Sequence, residues 1–304
     1  MRVVVTGGAG FIGAHSCRAL LQAGHAVTAI DDLSHGTREA VPPGADLVEI
    51  DVRSPQLAAE MQRLRPDAVL HLAAQMDVRR SVADPMHDAS VNVLGTVNAL
   101  AAARRAGARR FVLASSGGAV YGEQDTFPAP EQHPRRPASP YGVSKLCAEE
   151  YAELARRDGL STISMRYANV YGPGQDPMGE AGVVAIFLHK MLRGGDPLIN
   201  GDGRQTRDFV FVEDVARANL LALTSEAKGA LNVGTGVETS VVDLARLLAS
   251  AAGYQKAIAH GPPAPGEQRR SVVDPRAARE QLGWEPRVGL DDGLRRTTDW
   301  FRRG

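Results

Sequence analysis

Thr6-Gly7-Gly8-Ala9-Gly10-Phe11-Ile12-Gly13 is the stretch of sequence that decides the fold. A run of three valines precedes it, within residues 2–6, and is typical of a short buried strand. A helical pattern over residues 11–23 follows it and ends at Gly24. Glycines between a strand and a helix let the backbone approach a pyrophosphate at the helix N-terminus. The stretch therefore predicts a dinucleotide site.

Two carboxylates, Asp31 and Asp32, close the second predicted strand, residues 26–30. A carboxylate at this place accepts hydrogen bonds from a ribose 2′-hydroxyl and repels a 2′-phosphate. We therefore expect NAD rather than NADP as the cofactor. A reductase that uses NADP would need a basic residue in place of one of these acids.

The rest of the chain alternates strand and helix patterns. Strands are predicted at 46–50, 68–72, 110–114 and 160–166, and helices at 84–106 and 140–157. This alternation indicates an α/β fold with a doubly wound parallel sheet, a Rossmann domain.

After residue 166 the pattern loosens into a predicted mixed α/β substrate-binding lid. It contains a strand at 207–212 and helices at 181–193, 213–224, 239–252, 275–282 and 290–301, with a proline-rich loop at 262–267. We expect residues 1–165 to form the NAD-binding domain, with 207–232 returning to it. The substrate domain would then be 166–206 and 233–304.

Tyr141 and Lys145 lie four residues apart in the predicted helix 140–157, so both side chains project from one face. A free tyrosine has a pKa of about 10 and is a poor base at neutral pH. A nearby ammonium favours the phenolate, and a tyrosine tuned in this way can act as general acid and base. Ser116, just after the fifth predicted strand, is a third candidate at this site.

The predicted strand 68–72 runs into His71-Leu72-Ala73-Ala74-Gln75. Small residues at the C-terminal end of a parallel strand leave room for a ligand in the crevice there. We interpret His71, within the strand, as a hydrogen-bonded core histidine rather than a catalyst.

Composition limits the class of protein. Among 304 residues, 35 Lys and Arg balance 35 Asp and Glu, which argues against a nucleic-acid or anionic-membrane surface. Two cysteines give neither a disulfide framework nor a zinc pattern, so no metal is expected. The apolar runs are too short to span a bilayer, and no signal peptide is recognised, so we expect a cytoplasmic protein.

Together these motifs resemble the extended short-chain dehydrogenase/reductase family, and most closely its NAD-dependent UDP-sugar 4-epimerases of the UDP-glucose type. The resemblance covers nearly the whole chain. It is carried by residues 6–13, 31–32, 71–75, 115–122, 141–145, 166–173 and 207–214.

The resemblance implies a role for each matching residue. Tyr141, Lys145 and Ser116 would be catalytic. The NAD site would comprise Gly7, Gly10, Phe11, Ile12, Gly13, Asp31, Asp32, Asp51, Val52, Leu72, Ala73, Ala74, Asn92 and Lys145. A UDP-sugar would contact Gln75, Ser116, Gly117, Tyr141, Asn169, Val183 and Arg207, and the guanidinium of Arg207 suits phosphate oxygens.

The sequence also departs from the family pattern. Family members commonly carry an arginine before Pro-Gly-Asp in the late loop, where this chain has Ala264-Pro265-Gly266-Glu267. Arg269 is a candidate substitute for that phosphate contact. Gly174 stands where many relatives have an arginine after Tyr-Gly-Pro, and Ala168 where the family often has an aromatic residue.

We expect a UDP-hexose 4-epimerase that interconverts UDP-glucose and UDP-galactose through a 4-keto sugar, with NAD tightly bound. A UDP-glucuronate 4-epimerase is the main alternative, in which the Gly117-Gly118 turn or Arg79 and Arg80 would bind the sugar carboxylate. Nucleotide-sugar dehydratases carry an Asp-Glu pair at Gly117 and Gly118, and decarboxylases a glutamate at Ala119. A non-catalytic dinucleotide-binding regulator would typically lack the Tyr141–Lys145 pair.

We also expect a homodimer, because relatives pair the two long helices, 84–106 and 140–157, into a four-helix interface. Small residues on these helices would permit close approach, namely Ala99, Ala101, Ala102, Ala103, Ala148 and Ala152.

Overall fold

Parallel strands and the helices between them organise the first half of the chain in the computed structural model, which describes residues 1–178, 182–264 and 267–303. The strands are β1 (Arg2–Thr6), β2 (Ala26–Asp31), β3 (Asp46–Glu49), β4 (Ala68–His71), β5 (Arg110–Ser116), β6 (Ser161–Tyr167), β7 (Asn169–Tyr171), β8 (Leu198–Asn200), β9 (Thr206–Phe211), β10 (Gly229–Val233), β11 (Glu238–Ser240), β12 (Ala259–Gly261) and β13 (Arg270–Ser271). Seven of them form one parallel sheet in the order β10-β6-β5-β4-β1-β2-β3. The strand order reverses between β1 and β4, which opens a crevice at their C-terminal ends.

Helices cover both faces of this sheet. The α-helices of the described residues are α1 (Phe11–Gln22), α2 (Gln56–Leu64), α3 (Val78–Ala83), α4 (Pro85–Ala89), α5 (Gly95–Arg105), α6 (Gly117–Tyr121), α7 (Pro140–Arg157), α8 (Val183–Leu192), α9 (Val212–Thr224), α10 (Val241–Ala252), α11 (Arg276–Leu282) and α12 (Leu290–Arg303). Of these, α1 and α9 pack on one face of the large sheet, and α2, α5 and α7 on the other. Successive valines of β1 point to opposite cores. Val3 and Val5 pack in the core that includes α1 and α9, and Val4 in the core that includes α2, α5 and α7. This two-sided burial explains why the strand is apolar throughout.

A smaller sheet lies in the second half of the chain. In it β9 pairs with β7, β11 and β13, while β8 pairs with β12 separately. A third core joins this sheet to α8, α10 and α12 through Phe209, Phe211, Leu188, Leu244 and Leu294. This unit is the predicted mixed α/β lid.

The predicted doubly wound sheet is confirmed, and its six predicted strands are all present. The predicted helix 84–106 occurs as α4, a π-helical turn at Ser90–Leu94, and α5. Nine of the helices and strands named above were not predicted, namely α2, α3, α6, β7, β8, β10, β11, β12 and β13. The predicted helix 181–193 is found as α8, whereas Ala181 lies outside the described residues, as do Pro265 and Gly266 of the predicted late loop.

One predicted domain boundary needs correction. Residues 207–232 were expected to return to the large sheet, but Thr206–Phe211 form β9 of the small sheet. The return begins at Val212, because α9 packs against α1 and β10 pairs with β6. The remaining boundaries, including Gly304, which the structure does not describe, stay a prediction.

Membrane-spanning helices are absent from the described residues, none of whose helices combines the length and apolar character needed to cross a bilayer.

Candidate active site

A cleft opens at the C-terminal ends of β1 and β4, where the strand order reverses. It is lined by most of the residues predicted for the cofactor, namely Gly7, Gly10, Phe11, Ile12, Gly13, Asp31, Asp32, Asp51, Val52, Leu72, Ala73, Ala74 and Lys145. Tyr141 and Gln75 of the predicted substrate set also line it. The cleft runs from the acids that follow β2 and β3 to the end of β5, where Tyr141 and Lys145 lie.

The three glycines of the turn have different physical roles. Gly7 has φ +69°, and a Cβ atom on it would lie 2.6 Å from the Ala73 nitrogen. A Cβ atom on Gly13 would lie 2.0 Å from the Gly7 carbonyl oxygen. Both glycines are therefore required by packing. Gly10 is the N-cap of α1, and a Cβ atom on it would have only the Gly7 oxygen nearby, at 3.4 Å. Its open face fits an anion at the helix N-terminus.

Gly10→Ala should therefore separate cofactor binding from folding. The backbone of Gly10, with φ −77° and ψ 174°, accepts alanine without strain. The new methyl group would occupy the space over the helix N-terminus, so we expect the Kd for NAD to rise at least about tenfold, or about 1.4 kcal/mol. Calorimetric titration with NAD and a thermal melt of each protein measure the two effects. Gly13→Ala is the matched control that should lose stability as well, and an unchanged Kd in Gly10→Ala would contradict this assignment.

Asp31, the last residue of β2, and Asp32 line the cleft, and Asp31 also braces the glycine turn. Asp31 accepts hydrogen bonds from the Ala9 nitrogen and the Leu33 nitrogen, both at 2.9 Å. Burial raises the pKa of Asp31, and these two N–H groups oppose the shift. Asp32 accepts from the nitrogen and hydroxyl of Ser34. Each acid keeps unused lone pairs, so both remain candidates for the ribose hydroxyls.

Asn92 was predicted to contact NAD, but it is not among the residues that line the cleft. It lies behind the cleft wall, 2% exposed, on the π-helical turn. Its side-chain Oδ1 accepts a hydrogen bond from the Gln75 backbone nitrogen at 2.9 Å, and its Nδ2 donates to the Gln75 backbone oxygen at 2.7 Å. The Gln75 side chain is itself bonded to Asp77 and Asp88. We conclude that Asn92 fixes the loop after β4 rather than lining the cleft.

The face of α7 brings Tyr141 and Lys145 into the cleft. Ser139 caps the helix by accepting from the Gly142 nitrogen, and Pro140 occupies its first turn. Lys145 is 6% exposed, and its ammonium donates to the Ala114 carbonyl oxygen at 3.1 Å. That ammonium lies 5.8 Å from the centre of the Tyr141 ring. This geometry places a buried cation beside the tyrosine, as a proton-transferring tyrosine requires.

Ser116 is not part of the cleft lining. Its hydroxyl accepts from the Ala119 nitrogen at 3.3 Å and so caps the short helix α6. Side chains alternate along a strand, and Ser115 rather than Ser116 lines the cleft. The catalytic role predicted for Ser116 therefore stays a prediction that this lining does not support.

His71 is confirmed as a core residue. Its ring nitrogens contact the hydroxyls of Thr6 and Thr96 at 2.7 Å and 3.1 Å. Burial, with a smaller contribution from Lys145, lowers the pKa of His71 to about 3. The ring is therefore neutral at physiological pH.

The predicted substrate residues of the second half of the chain lie outside the cofactor cleft, on the small sheet and its neighbours. Arg207, on β9, is mostly buried and lies 3.6 Å from a carboxylate oxygen of Glu267. Burial lowers the pKa of Arg207, while Glu267 and Glu123 oppose the shift. Asn169 begins β7 and Val183 begins α8.

Arg269 is held away from a phosphate role. Both of its terminal nitrogens bond the carboxylate of Asp202, at 2.8 Å and 3.0 Å, on the surface. Hydrogen bonds from Arg269 lower the pKa of Asp202 well below its ordinary value. Arg269 would have to exchange this partner before it could contact a substrate.

Gly117 and Gly118 are used for packing. A Cβ atom on Gly117 would lie 2.7 Å from Cγ1 of Val273, and one on Gly118 would lie 3.2 Å from the Ser271 hydroxyl. The late chain segment therefore covers this turn. An Asp-Glu pair of the dehydratase kind would collide with it.

Sequence reasoning missed a buried network next to the cleft. Glu149 of α7 forms two hydrogen bonds with Arg166 of β6, at 2.9 Å and 2.7 Å, and both side chains are at most 5% exposed. Ser115 donates to the same carboxylate, and Arg166 also bonds Tyr121. The pattern offered one indication, since Glu149 follows Lys145 by four residues and shares its helical face.

A model of the NAD dependent epimerase/dehydratase family matches residues 3–234. The chain belongs to this family. The resemblance drawn from the sequence is thereby confirmed, and the chain is that of an NAD-dependent enzyme. The cleft fits NAD, since the open face of Gly10 and the acids after β2 and β3 supply what the pyrophosphate and ribose groups require.

Individual members of the epimerase/dehydratase family are similar to this chain over its full length. UDP-glucose 4-epimerase of Mycolicibacterium smegmatis is 45% identical, with 99% of each chain covered. The crystal structure of UDP-glucose 4-epimerase from Thermotoga maritima with UDP-glucose has a TM-score of 0.96 and 44% identity, covering 100% of this chain and 99% of that one. The enzyme of Thermus thermophilus in complex with NAD has a TM-score of 0.94 and 44% identity, with 99% of each chain covered.

Proposed function

We propose that this enzyme is a UDP-hexose 4-epimerase that interconverts UDP-glucose and UDP-galactose through a transient 4-keto sugar. The observation that carries the proposal is the Tyr141–Lys145 pair at the β5 end of the NAD cleft. The UDP-glucose 4-epimerases described above, at 44% and 45% identity over the full chain, support the same activity and sugar.

The proton chemistry belongs to Tyr141. As phenolate it removes the proton of the sugar 4-hydroxyl, and it returns that proton after the keto sugar has turned its other face. Bound NAD supplies the reversible hydride acceptor for C4. Lys145, fixed by the Ala114 carbonyl oxygen, holds positive charge beside the phenolate and stabilises it. The hydride is returned in each cycle, so no net NADH should accumulate.

Arg207 is the residue that we propose for the substrate diphosphate. It is mostly buried, and its nearest carboxylate, that of Glu267, lies at 3.6 Å, beyond a normal hydrogen bond. A diphosphate offers bidentate, fully charged acceptors, which a guanidinium prefers. Asn169 and Val183 remain proposed contacts of the nucleotide, and Arg269 remains the proposed second cation only if Asp202 releases it.

The UDP-glucuronate alternative predicted that the Gly117-Gly118 turn, Arg79 or Arg80 binds the sugar carboxylate. Val273 and Ser271 cover the Cβ side of Gly117 and Gly118, which reduces the room for a carboxylate of UDP-glucuronate at this turn. Arg79 is exposed and lies 3.6 Å from Asp77. Arg80 lines the cofactor cleft near His35. A neutral hexose is therefore the better fit.

The test is a comparison of kcat/KM for UDP-glucose and UDP-glucuronate on one enzyme preparation. We expect conversion of UDP-glucose to UDP-galactose without a net change in NADH absorbance, and at least a tenfold preference for the neutral sugar, about 1.4 kcal/mol in transition-state binding. A tenfold preference for the acid would favour the glucuronate epimerase. NAD binding without turnover of any UDP-sugar would favour a regulator.

We also propose a homodimer formed through α7 and the helical segment that comprises α4, the π-helical turn and α5. Five of the six alanines expected at the interface, Ala99, Ala102, Ala103, Ala148 and Ala152, are buried in the protomer core, and Ala101 is half-buried. The exposed face instead carries larger apolar side chains. These are Leu94 at 63%, Val143 at 55%, Tyr151 at 39% and Leu154 at 52% exposure.

Leu154→Glu should shift the enzyme from dimer to monomer. A second copy would desolvate the apolar face around Leu154, and a buried unpaired carboxylate there is costly. Light scattering at micromolar concentration measures the mass. Leu198→Glu is the control, because Leu198 is 45% exposed on β8 of the small unit and should leave the dimer intact. A wild-type monomer at this concentration would contradict the proposal.

A further inference from the structure

Ser115, on β5, is one of the residues that line the cofactor cleft, whereas Ser116 is not. Ser115 is 4% exposed. Its hydroxyl donates to Oε1 of Glu149 at 2.5 Å. Glu149 is 5% exposed, and Arg166 binds both oxygens of its carboxylate. Ser115 therefore joins a deeply buried ion pair to the cleft.

The ion pair fixes which way the Ser115 proton points. A carboxylate has no proton to donate, so in this contact Ser115 must be the donor. A hydroxyl has one proton and two acceptor lone pairs. With the proton committed to Glu149, Ser115 can only accept a hydrogen bond from a group in the cleft.

Arg166 holds the Glu149 carboxylate in place with two hydrogen bonds. Burial alone would lower the pKa of Arg166, but hydrogen bonds and charge attraction from Glu149 raise it well above its ordinary value. Arg166 is itself fixed by the Tyr121 hydroxyl and the Glu131 carbonyl oxygen, both at 3.0 Å. The network thus holds the orientation of the carboxylate.

We propose that Glu149 is a positioning residue that makes Ser115 an obligate acceptor for an N–H donor at the reactive end of the cofactor. This rests on the proposed function, which places that end beside Tyr141 and Lys145. The donor that a nicotinamide offers is its carboxamide NH₂. The Glu149–Ser115 pair would then select a cofactor with a carboxamide over one of equal size without N–H groups.

The first test is a double-mutant cycle of Glu149→Gln and Ser115→Ala. The Kd for NAD is measured on the cofactor-free wild type, the two single variants and the double variant. Glu149→Gln is nearly isosteric, but its NH₂ can donate to Ser115 and turn the Ser115 proton toward the cleft. We expect Glu149→Gln and Ser115→Ala each to raise the Kd about tenfold, and the double variant to bind as well as Ser115→Ala alone. Equal loss of affinity from Glu149→Gln in both backgrounds would reveal a merely structural role and overturn the proposal.

The second test does not need Glu149→Gln to fold. The analogue of NAD in which an acetyl group replaces the carboxamide keeps the carbonyl and lacks the N–H groups. We expect the wild-type protein to prefer NAD about tenfold, and Ser115→Ala to lose this preference. Ser116→Ala, which removes a hydroxyl that caps α6 outside the cleft lining, should keep it.

The role of Ser115 and Glu149 and the epimerase activity can be contradicted by different results. A wild-type protein that binds NAD and turns over UDP-glucose, but does not discriminate between NAD and the acetyl analogue, would overturn only the role of Ser115 and Glu149. A protein that discriminates between the cofactors but has no epimerase activity would overturn the proposed function and leave the acceptor role standing.

Discussion

Tyr141→Phe is expected to lower kcat about 10²- to 10⁴-fold, the range that one general acid–base group contributes. The change removes a single oxygen. The Tyr141 backbone nitrogen, 3.2 Å from the Ser81 hydroxyl, and the Lys145 contact with Ala114 do not depend on that oxygen. The fold and bound NAD should therefore be retained, and the loss should appear in the proton-transfer step.

The measurement is the rate of conversion of UDP-glucose to UDP-galactose at saturating substrate, with NAD content checked in the same sample. Tyr151→Phe provides a matched control, because Tyr151 lies on the same helix but on its exposed side. We expect the control to retain its kcat. A near-normal kcat in Tyr141→Phe would remove Tyr141 from the mechanism.

Arg166→Met is expected to lower the free energy of unfolding by about 3–5 kcal/mol, the cost of breaking a buried ion pair from one side. The variant leaves the Glu149 carboxylate, 5% exposed, with the Ser115 hydroxyl but without its cation. It also removes the guanidinium partner of Tyr121. Urea unfolding of variant and wild type measures the difference.

Two further variants test whether the loss of stability comes from the buried ion pair. Arg63→Met breaks an exposed ion pair with Glu60 on α2 and should leave the urea midpoint nearly unchanged. Arg166→Met combined with Glu149→Leu should recover much of the lost stability, because replacing both charges leaves no buried ion unpaired. An Arg166→Met variant as stable as Arg63→Met would mean that water reaches the pair.

The local features of this protein could be predicted from the sequence. The glycine turn, its flanking strand and helix, and the acids at the end of β2 lie within one continuous stretch, and their residue pattern can be recognised without knowledge of any distant contact. Tyr141 and Lys145 share a face because helical geometry places residues four apart together. The alternation of strands and helices then limits the topology, since parallel strands need crossovers. The parallel sheet and most of the cofactor lining followed from these short-range rules.

Only the tertiary structure decided which of two adjacent serines faces the cleft. The end of β5 was predicted two residues too early, and a one-residue change of position moves a side chain to the other face of a sheet. Ser115 thereby faces Glu149 and the cleft, whereas Ser116 caps α6. A motif that contains both serines cannot separate them.

Contacts between distant parts of the chain decided the rest. Gly117 is closed by Val273, Arg269 is bound by Asp202, and Arg166 of β6 reaches Glu149 of α7. Each partner is brought close by the folding of another element, so its distance along the chain carries no information about the contact. The sequence by itself determined the type of sheet, the cofactor turn and the shared helical face of Tyr141 and Lys145, because these depend on local periodicity. The structure decided which polar side chains remain available to a ligand, because that depends on the partners supplied by the whole fold.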